Sequence, residues 1–216
     1  DLWKIAGAAA YSGDALKLIV KELIQNSFDA VKALLYNKLS ADGNILIEVK
    51  PETRQIIVTD HGIGMDRDTL INAFLKYPGT SKPGLPPEQS SGGLGQAKVL
   101  LLRLPKLIQV ETSKAGKGVR LEATPEALDI GKALIQTFET SPEEHGTKII
   151  LTLPEQIEKD GVMIPVELSD YYYDYPVFKN PPIFPGVTLQ FQGRYGLSTA
   201  EDLLATHKLF KTVQSE

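Results

Sequence analysis

Apolar residues recur at helical spacing between positions 14 and 37, and this is the clearest pattern in the chain. At about 100° per residue, one arc of a helix collects the apolar side chains of Leu16, Ile19, Leu23, Ala30, Val31 and Leu34. The opposite side carries the polar residues Lys21, Gln25 and Lys32. The spacing predicts an amphipathic helix over residues 14–37, with Asp14 at the N-cap position.

Two short β-rich runs follow at residues 45–50 and 55–59, and the four residues between them predict an antiparallel hairpin. The second run leads directly into a glycine-punctuated turn at residues 60–65. A short helix is predicted over residues 67–76. This order places a polar turn at the end of a buried strand.

Residues 77–95 are rich in glycine and proline and show no hydrophobic periodicity. A connection this long without periodicity is usually functional or mobile. The apolar run at residues 96–104 that follows it is compatible with a helix. A glycine-rich loop therefore precedes a helix N-terminus.

The second half of the chain is predominantly strand-like. Four further β-rich runs lie at residues 107–112, 118–123, 133–140 and 147–153. Beyond Pro154 we expect an extended, aromatic and proline-rich strap, a strand at residues 187–192, and a final helix. The capping-box pattern at residues 198–201 marks the start of that helix, which is predicted to run toward Val213. The element order predicts an α+β fold, a two-layer sandwich with helices on one face of a mixed, mostly antiparallel sheet.

Composition narrows the classes of function. The chain has 216 residues, a net charge of −4 and no cysteine, which excludes disulfides, a thiolate nucleophile and a sulfur-ligated zinc site. Its three histidines lack a metal-ligand spacing. No apolar run approaches the roughly 20 residues that cross a bilayer. The chain does not begin with Met, which suggests a processed product or a piece of a longer protein, and we expect it in the cytoplasm.

Three polar residues of the first helix are candidates for phosphoryl chemistry. Glu22, Asn26 and Asp29 lie within roughly 60° of arc and border the apolar arc, so they are expected on the floor of a cleft between helix and sheet. An amide oxygen suits Mg²⁺, and a carboxylate can orient or deprotonate a water. An ordinary solvated helix edge is the alternative interpretation of these residues taken alone.

The turn at residues 60–65 is a second candidate. A carboxylate at the end of a buried strand, here Asp60, is costly unless it is hydrogen-bonded. Gly62 and Gly64 let the backbone approach a flat ligand, and Met65 can pack against a ring. Asp60 can thus accept a hydrogen bond from an exocyclic amine. A plain turn with an Asp cap is the alternative.

Two more segments complete the pattern. Residues 90–98 join glycines to a helix start, where free N–H groups attract phosphate, although the spacing is neither a Walker A loop nor a dinucleotide fingerprint. Thr147 opens the last of the four strands and has a hydroxyl that can bond adenine or Asp60. A bare loop and a good strand former are the respective alternatives.

The joint order of these segments resembles the GHKL superfamily, which comprises gyrase B, the heat-shock chaperone, histidine kinases and MutL and has the Bergerat ATP-binding fold. The matching stretches are KELIQNSFDA (21–30), DHGIGM (60–65), SSGGLGQAK (90–98) and HGT (145–147). The resemblance covers roughly residues 12–153. It implies an ATP-binding domain over residues 1–154 and a C-terminal extension, residues 155–216, packed on the same domain.

The resemblance also implies roles for individual residues. By matching position, Glu22 resembles the general base, Asn26 the Mg²⁺ ligand, and Asp60 the carboxylate that specifies adenine. The residues expected around the base are Gly62, Gly64, Met65 and Thr147. Those expected near the phosphates or in the lid hinge are Asp29, Gly92, Gly93, Leu94, Gly95 and Lys98.

The branch within the superfamily rests on a few positions. Glu22 favours hydrolysis over the phosphotransfer of histidine kinases, which generally lack a glutamate there. Residues 80–82 resemble the lids of MutL and microrchidia proteins. Ala73 argues against the chaperone branch, which usually carries an asparagine at that position.

The resemblance implies an Mg²⁺-dependent ATPase that binds ATP and ADP, closes a lid over residues 77–95, and forms an ATP-dependent homodimer. A larger chain or a protein partner is also expected, nucleic acid only by analogy with gyrase and MutL, and a membrane not at all. The alternatives are an ATP-gated interaction module with little hydrolysis and, less favoured, phosphotransfer of the histidine-kinase type. The Tyr-rich segment at residues 171–175 is interpreted as packing the strap onto the core, with a partner surface as the alternative.

Overall fold

The computed structural model describes residues 15–76 and 94–203. Its helices are α1 (Ala15–Tyr36), α2 (Arg67–Thr69, continued by a π-helical turn at Leu70–Phe74), α3 (Leu94–Arg103), α4 (Pro125–Asp129) and α5 (Pro176–Lys179). Its strands are β1 (Gly43–Lys50), β2 (Gln55–Asp60), β3 (Leu107–Lys114), β4 (Lys117–Ala123), β5 (Leu134–Glu139), β6 (Gly146–Thr152), β7 (Gln156–Lys159), β8 (Val162–Pro165), β9 (Val187–Gly193) and β10 (Gly196–Thr199). The α+β fold class predicted from the sequence is confirmed.

Helix α1 forms where the apolar periodicity predicted it. Ile19, Val20 and Val31 are fully buried on its inner side, and each such side chain contributes about 1.5–3 kcal/mol relative to full exposure. The helix packs on β1 and β2 and against α3, which places it across the middle of the sheet. Its predicted cap, Asp14, lies outside the described residues.

Eight strands form one sheet in the order β10-β9-β1-β2-β6-β3-β4-β5. The predicted hairpin of β1 and β2 is antiparallel, with Ile45 opposite Asp60. The pairing of β1 with β9 is parallel, and every other neighbouring pair in this sheet is antiparallel. Residues of β1 alternate between buried and partly exposed, as expected for a sheet covered by helices on one face.

The C-terminal part contains more regular structure than the sequence predicted. Strands β7 and β8 form a separate hairpin, and β10 extends the large sheet beyond the predicted β9. Arg54 holds this region to the sheet, because its guanidinium donates to the carbonyls of Pro154 and Val166. Strands this short carry too little periodicity to be distinguished from loops in a sequence.

The aromatic segment is not simply extended. It forms a 3₁₀ turn at Tyr172–Asp174 and then α5, which has proline at its first position, where a missing N–H costs nothing. Tyr175 is buried and its hydroxyl donates to the Ser169 carbonyl, while the Tyr172 ring contacts Phe191 edge-on. These two tyrosines pack the segment onto the core, as the sequence indicated.

The final helix begins at Ala200 and is described as far as Leu203. Thr199 caps it, accepting a hydrogen bond from the Asp202 N–H at 3.2 Å. The cap therefore lies one residue after Ser198, the first residue of the predicted capping box. Ser198 belongs to β10, whose pairing with β9 extends to Thr199.

Candidate functional site

The site is centred on Asp60, the last residue of β2. Its carboxylate accepts a hydrogen bond from the Gly62 N–H at 2.9 Å and from the Ser27 hydroxyl at 3.2 Å. Asp60 is only 5% exposed, and Ser27 lies on the buried face of α1. The turn that follows β2 and the helix thus fix the carboxylate from two sides.

Burial controls the charge on this group. It raises the pKa of Asp60 from 3.8 to about 6, and the hydrogen bonds from Gly62 and Ser27 limit the rise. A carboxylate buried with few partners is an acceptor that has not been satisfied by water. The position therefore suits a ligand that brings a hydrogen-bond donor to it.

The predicted glycines lie where the backbone passes closest to its neighbours. A side chain at Gly62 would begin 2.7 Å from the Ala30 backbone, and one at Gly64 would begin 1.9 Å from the Ser113 carbonyl. Gly64 also has a positive φ of 72°. The turn consequently lies flat against α1 on one side and β3 on the other.

Two residues that the sequence analysis did not single out complete this part of the site. The Thr112 hydroxyl accepts a hydrogen bond from the Met65 N–H at 2.8 Å and lies 2.9 Å from the Thr147 hydroxyl. Thr112, like Ser27, is a buried polar residue in an apolar surrounding. That property was the only available indication, and burial is not readable at single positions of a sequence.

Thr147 lies directly opposite Asp60 in the pairing of β2 with β6. Its backbone N–H helps to limit the rise in the pKa of Asp60, whereas its hydroxyl bonds to Thr112. Met65 is partly buried and packs against the core. The structure thus brings Asp60, Gly62, Gly64, Met65 and Thr147 together.

Glu22, Asn26 and Lys98 form a second cluster on the same side of α1. The Asn26 amide donates to the Glu22 carboxylate at 3.4 Å, which leaves the amide oxygen as an acceptor. Burial raises the pKa of Glu22, and the hydrogen bond from Asn26 and the charge of Lys98 oppose that rise. Burial in turn lowers the pKa of Lys98, whose ammonium donates to the Ala73 carbonyl.

The two clusters share one helix. Glu22 precedes Ser27 by five positions, which corresponds to about 7.5 Å along the helix axis. A partly buried carboxylate, an amide and an ammonium therefore lie about 1.5 helical turns from the position where α1 contacts Asp60. The arrangement offers a donor-seeking end and a charged end for one elongated ligand.

The remaining predicted residues are placed differently or not described. Asp29 is exposed, pairs with Lys32 at 3.5 Å, and lines a groove between α1 and the segment from Pro176 to Phe184. Gly95 lies in the first turn of α3, which begins at Leu94, two residues earlier than predicted. The predicted residues Gly92 and Gly93 lie outside the described residues.

Magnesium was tested against the donor set. Within residues 15–76 and 94–203, no group of three or more acidic or histidine side chains could hold a metal ion by itself. Nucleotide-bound Mg²⁺ needs only one or two protein oxygens, because phosphates and waters supply the rest. The free amide oxygen of Asn26, beside Glu22, fits that smaller requirement.

Comparison with known proteins agrees with this geometry. A family model described as "Histidine kinase-, DNA gyrase B-, and HSP90-like ATPase" matches residues 12–157, well over half of the chain. The chain belongs to this ATPase family. Both clusters of the site lie within the matched residues.

Individual relatives come from two kinds of protein. A chaperone protein HtpG from Ehrlichia ruminantium is 28% identical over 185 residues, which cover 74% of this chain and 29% of the relative. A type 2 DNA topoisomerase 6B from Saccharolobus islandicus is 30% identical over 182 residues, covering 77% of this chain and 34% of the relative. The chain thus spans about a third or less of the relatives it matches.

These relatives leave the branch open. The chaperones include a second HtpG, from Pseudoalteromonas translucida, which is 30% identical over 157 residues and covers 65% of this chain and 24% of the relative. Ala73 argued against that branch, and the resemblance to MutL and microrchidia proteins rests on residues 80–82, outside the described ranges. The branch therefore stays a prediction. Separately, no helix in the described parts of the chain is long and apolar enough to cross a membrane.

Proposed function

We propose that this chain binds ATP with Mg²⁺ and hydrolyses it. The observation that supports this most strongly is the buried Asp60 carboxylate, which Gly62 and Ser27 orient at the end of β2. A fixed acceptor of this kind recognises the exocyclic amine of adenine, and the flat glycine turn beside it suits an aromatic ring. Membership of an ATPase family supports the same conclusion.

In this proposal the phosphates lie beside the second cluster. Asn26 holds Mg²⁺ through its amide oxygen, and the bound ion neutralises charge on the phosphates. Glu22 orients the attacking water and accepts its proton. Lys98 provides a positive charge next to Glu22, which favours the ionised carboxylate. Asp29, Gly92, Gly93, Leu94 and Gly95 remain candidates for nucleotide contacts.

The test separates binding from turnover. We expect Glu22→Ala to bind ATP but to turn over at least ~10²-fold more slowly, which is the usual contribution of a general base. Asp60→Asn is expected to abolish ATP binding, measured by isothermal titration calorimetry. Gln25→Ala, an exposed change on the opposite side of α1, is the matched control. Undiminished phosphate release by Glu22→Ala would remove that residue from its role.

A non-enzymatic switch is the second candidate function. Glu22 is only partly exposed and already bonded to Asn26, and in a binding module it stays in that position while ATP is held without hydrolysis. Phosphate release measured at increasing protein concentration distinguishes the two functions. Labelling of a protein by γ-labelled ATP would instead indicate phosphotransfer of the histidine-kinase type.

Several finer expectations belong to the same proposal. Lid closure by residues 77–95, an ATP-dependent homodimer, a protein partner and a cytoplasmic location come from the family resemblance. The division into a domain at residues 1–154 and an extension at 155–216 is retained as a proposal, with the extension packed on the same domain. Trapping the dimer with a non-hydrolysable ATP analogue tests the first two.

A further inference from the structure

Strand β5 forms one edge of the large sheet, and among the described strands only β4 pairs with it. Natural edge strands are usually protected by proline, lysine, a bulge or very short length. The β5 sequence LIQTFE has six residues, contains neither proline nor lysine, and pairs with β4 at every position without a bulge. Leu134 at its start is 66% exposed. This edge therefore lacks the usual protection against another strand.

The backbone groups that point outward can be identified from the neighbouring turn. The Thr140 N–H donates to the Gly116 carbonyl at 3.0 Å, in register with the β4–β5 pairing. Such bonds alternate along an antiparallel strand, so the residues that bond inward are Leu134, Gln136 and Phe138. The residues whose N–H and C=O groups face away from β4 are Ile135, Thr137 and Glu139. They form a free hydrogen-bonding edge.

The two faces of β5 differ in character. Ile135 lies opposite Leu121 and packs against the core. Phe138 lies opposite Gly118 on the other face of the sheet, with the Arg120 guanidinium 5.1 Å above its ring. Leu134 and Gln136 share the face of Phe138, since side chains alternate. An added strand must match both faces.

We propose that β5 pairs antiparallel with β5 of a second copy of this chain, around a two-fold axis at Gln136, so that the two sheets become continuous. A two-fold axis perpendicular to the sheet keeps each face on its own side, so it must pass beside a residue. Centred on Gln136, the pairing sets Leu134 opposite Phe138 of the copy and Ile135 opposite Thr137. Centred on Thr137, it would set Ile135 opposite the charged Glu139. The first register matches apolar residues with each other.

A second copy suits this edge because the strand complements itself. Its only charged residue, Glu139, is three positions from the axis, so the two Glu139 side chains are separated by about 20 Å along the strands. Four strand spacings, about 19 Å, separate β5 from β2 and its Asp60. The pairing therefore does not require nucleotide, unlike the ATP-dependent homodimer proposed above.

Cysteine cross-linking tests the register, because the chain has no cysteine of its own. In the proposed register Gln136 faces its own copy in a non-hydrogen-bonded pair, with Cα atoms about 4.5 Å apart, within the range of a disulfide. We expect Gln136→Cys to form a disulfide-linked dimer at least ~10-fold faster than the surface control Glu52→Cys, owing to the raised effective concentration. Equal rates, or faster cross-linking through Thr137→Cys, would overturn the proposal.

Reversible association tests the interface itself. Thr137→Pro removes an outward N–H that β4 does not use, whereas Thr137→Val keeps it, and Leu134→Lys adds the charge that protects natural edges. In sedimentation equilibrium without nucleotide, we expect a dimer that Thr137→Pro and Leu134→Lys weaken at least ~10-fold and Thr137→Val leaves intact. Circular dichroism checks that each variant is folded. A monomeric wild type at millimolar concentration, or a dimer insensitive to both changes, would overturn the proposal.

Discussion

The hydroxyl of Ser27 in α1 donates a hydrogen bond to the carboxylate of Asp60 at the end of β2, at 3.2 Å and across 33 positions of sequence. Both residues are buried. This bond connects the proposed adenine acceptor to the helix that carries Glu22 and Asn26. The relative position of the two clusters therefore depends on one buried polar contact between helix and sheet.

Stability should depend on pH through Asp60. Its pKa of about 6 in the folded protein exceeds the ordinary 3.8, so the native state holds an extra proton between these pH values. The free energy of unfolding then falls as pH rises through that window. We expect Asp60→Asn to be more stable than wild type at pH 7, by at most about 3 kcal/mol, and to lose that advantage near pH 4. Urea unfolding at the two pH values measures it.

Asp66 is the control for the sign of this effect. Its pKa is lowered, chiefly by the Thr69 N–H that it caps, so its contribution to stability is present above the ordinary pKa and lost as pH falls. We expect Asp66→Asn to be less stable than wild type at neutral pH. A pH-independent gain in Asp60→Asn would contradict the burial of an ionised carboxylate.

Gly64 should tolerate no side chain. A Cβ there would begin 1.9 Å from the Ser113 carbonyl, so the backbone of the turn or of β3 must shift. We expect Gly64→Ala to lower the free energy of unfolding by more than ~3 kcal/mol. Gly131 has a similar φ of 65° but no atom within 4 Å of the added Cβ, and Gly131→Ala should cost only about 1–2 kcal/mol. Equal losses would show that φ alone sets the cost.

Thr112 should be needed for its hydroxyl. Thr112→Val removes the acceptor for the Met65 N–H and the partner of the Thr147 hydroxyl while keeping nearly the same shape. We expect a loss of about 1–3 kcal/mol in the free energy of unfolding, since buried polar groups are left unpaired. Thr112→Ser retains the hydroxyl and should lose less. The reverse order would indicate that the methyl group matters more than the hydrogen bonds.

Lys98 should set the acidic limb of the pH–rate profile if the proposed ATPase mechanism holds. Its charge lowers the pKa of Glu22, so Lys98→Met should raise that pKa and move the acidic limb of turnover to higher pH. Lys21→Met, on the exposed side of the same helix, is the control. A limb that stays in place would separate Lys98 from the ionisation of Glu22.

Much of the fold followed from periodicity. Helix α1, the β1–β2 hairpin and strands β3, β4, β5, β6 and β9 formed where apolar spacing predicted them. The parallel partner of β1 was not predictable, because β9 lies more than a hundred positions away and its pattern names no neighbour. The hairpin of β7 and β8 was missed for a different reason, since four-residue strands show almost no periodicity.

The candidate site was predictable as a set of residue types and less so as an arrangement. Asp60, Gly62 and Gly64 were identified from one short motif, and their close contacts agree with that interpretation. Ser27 and Thr112 were missed, because a serine in a helix and a threonine in a strand are ordinary in sequence. Asp29 was grouped with Glu22 by helical angle, yet it lies in a groove with Lys32.

The sequence alone determined which segments are helix or strand and which residues could carry chemistry, since local periodicity and side-chain chemistry are properties of the chain itself. Tertiary structure decided which of them meet. It buried Asp60 between α1 and β6, directed Lys98 toward Glu22, and left one side of β5 without a partner strand among the described residues. These outcomes depend on packing between distant segments, where desolvation and charge act through space.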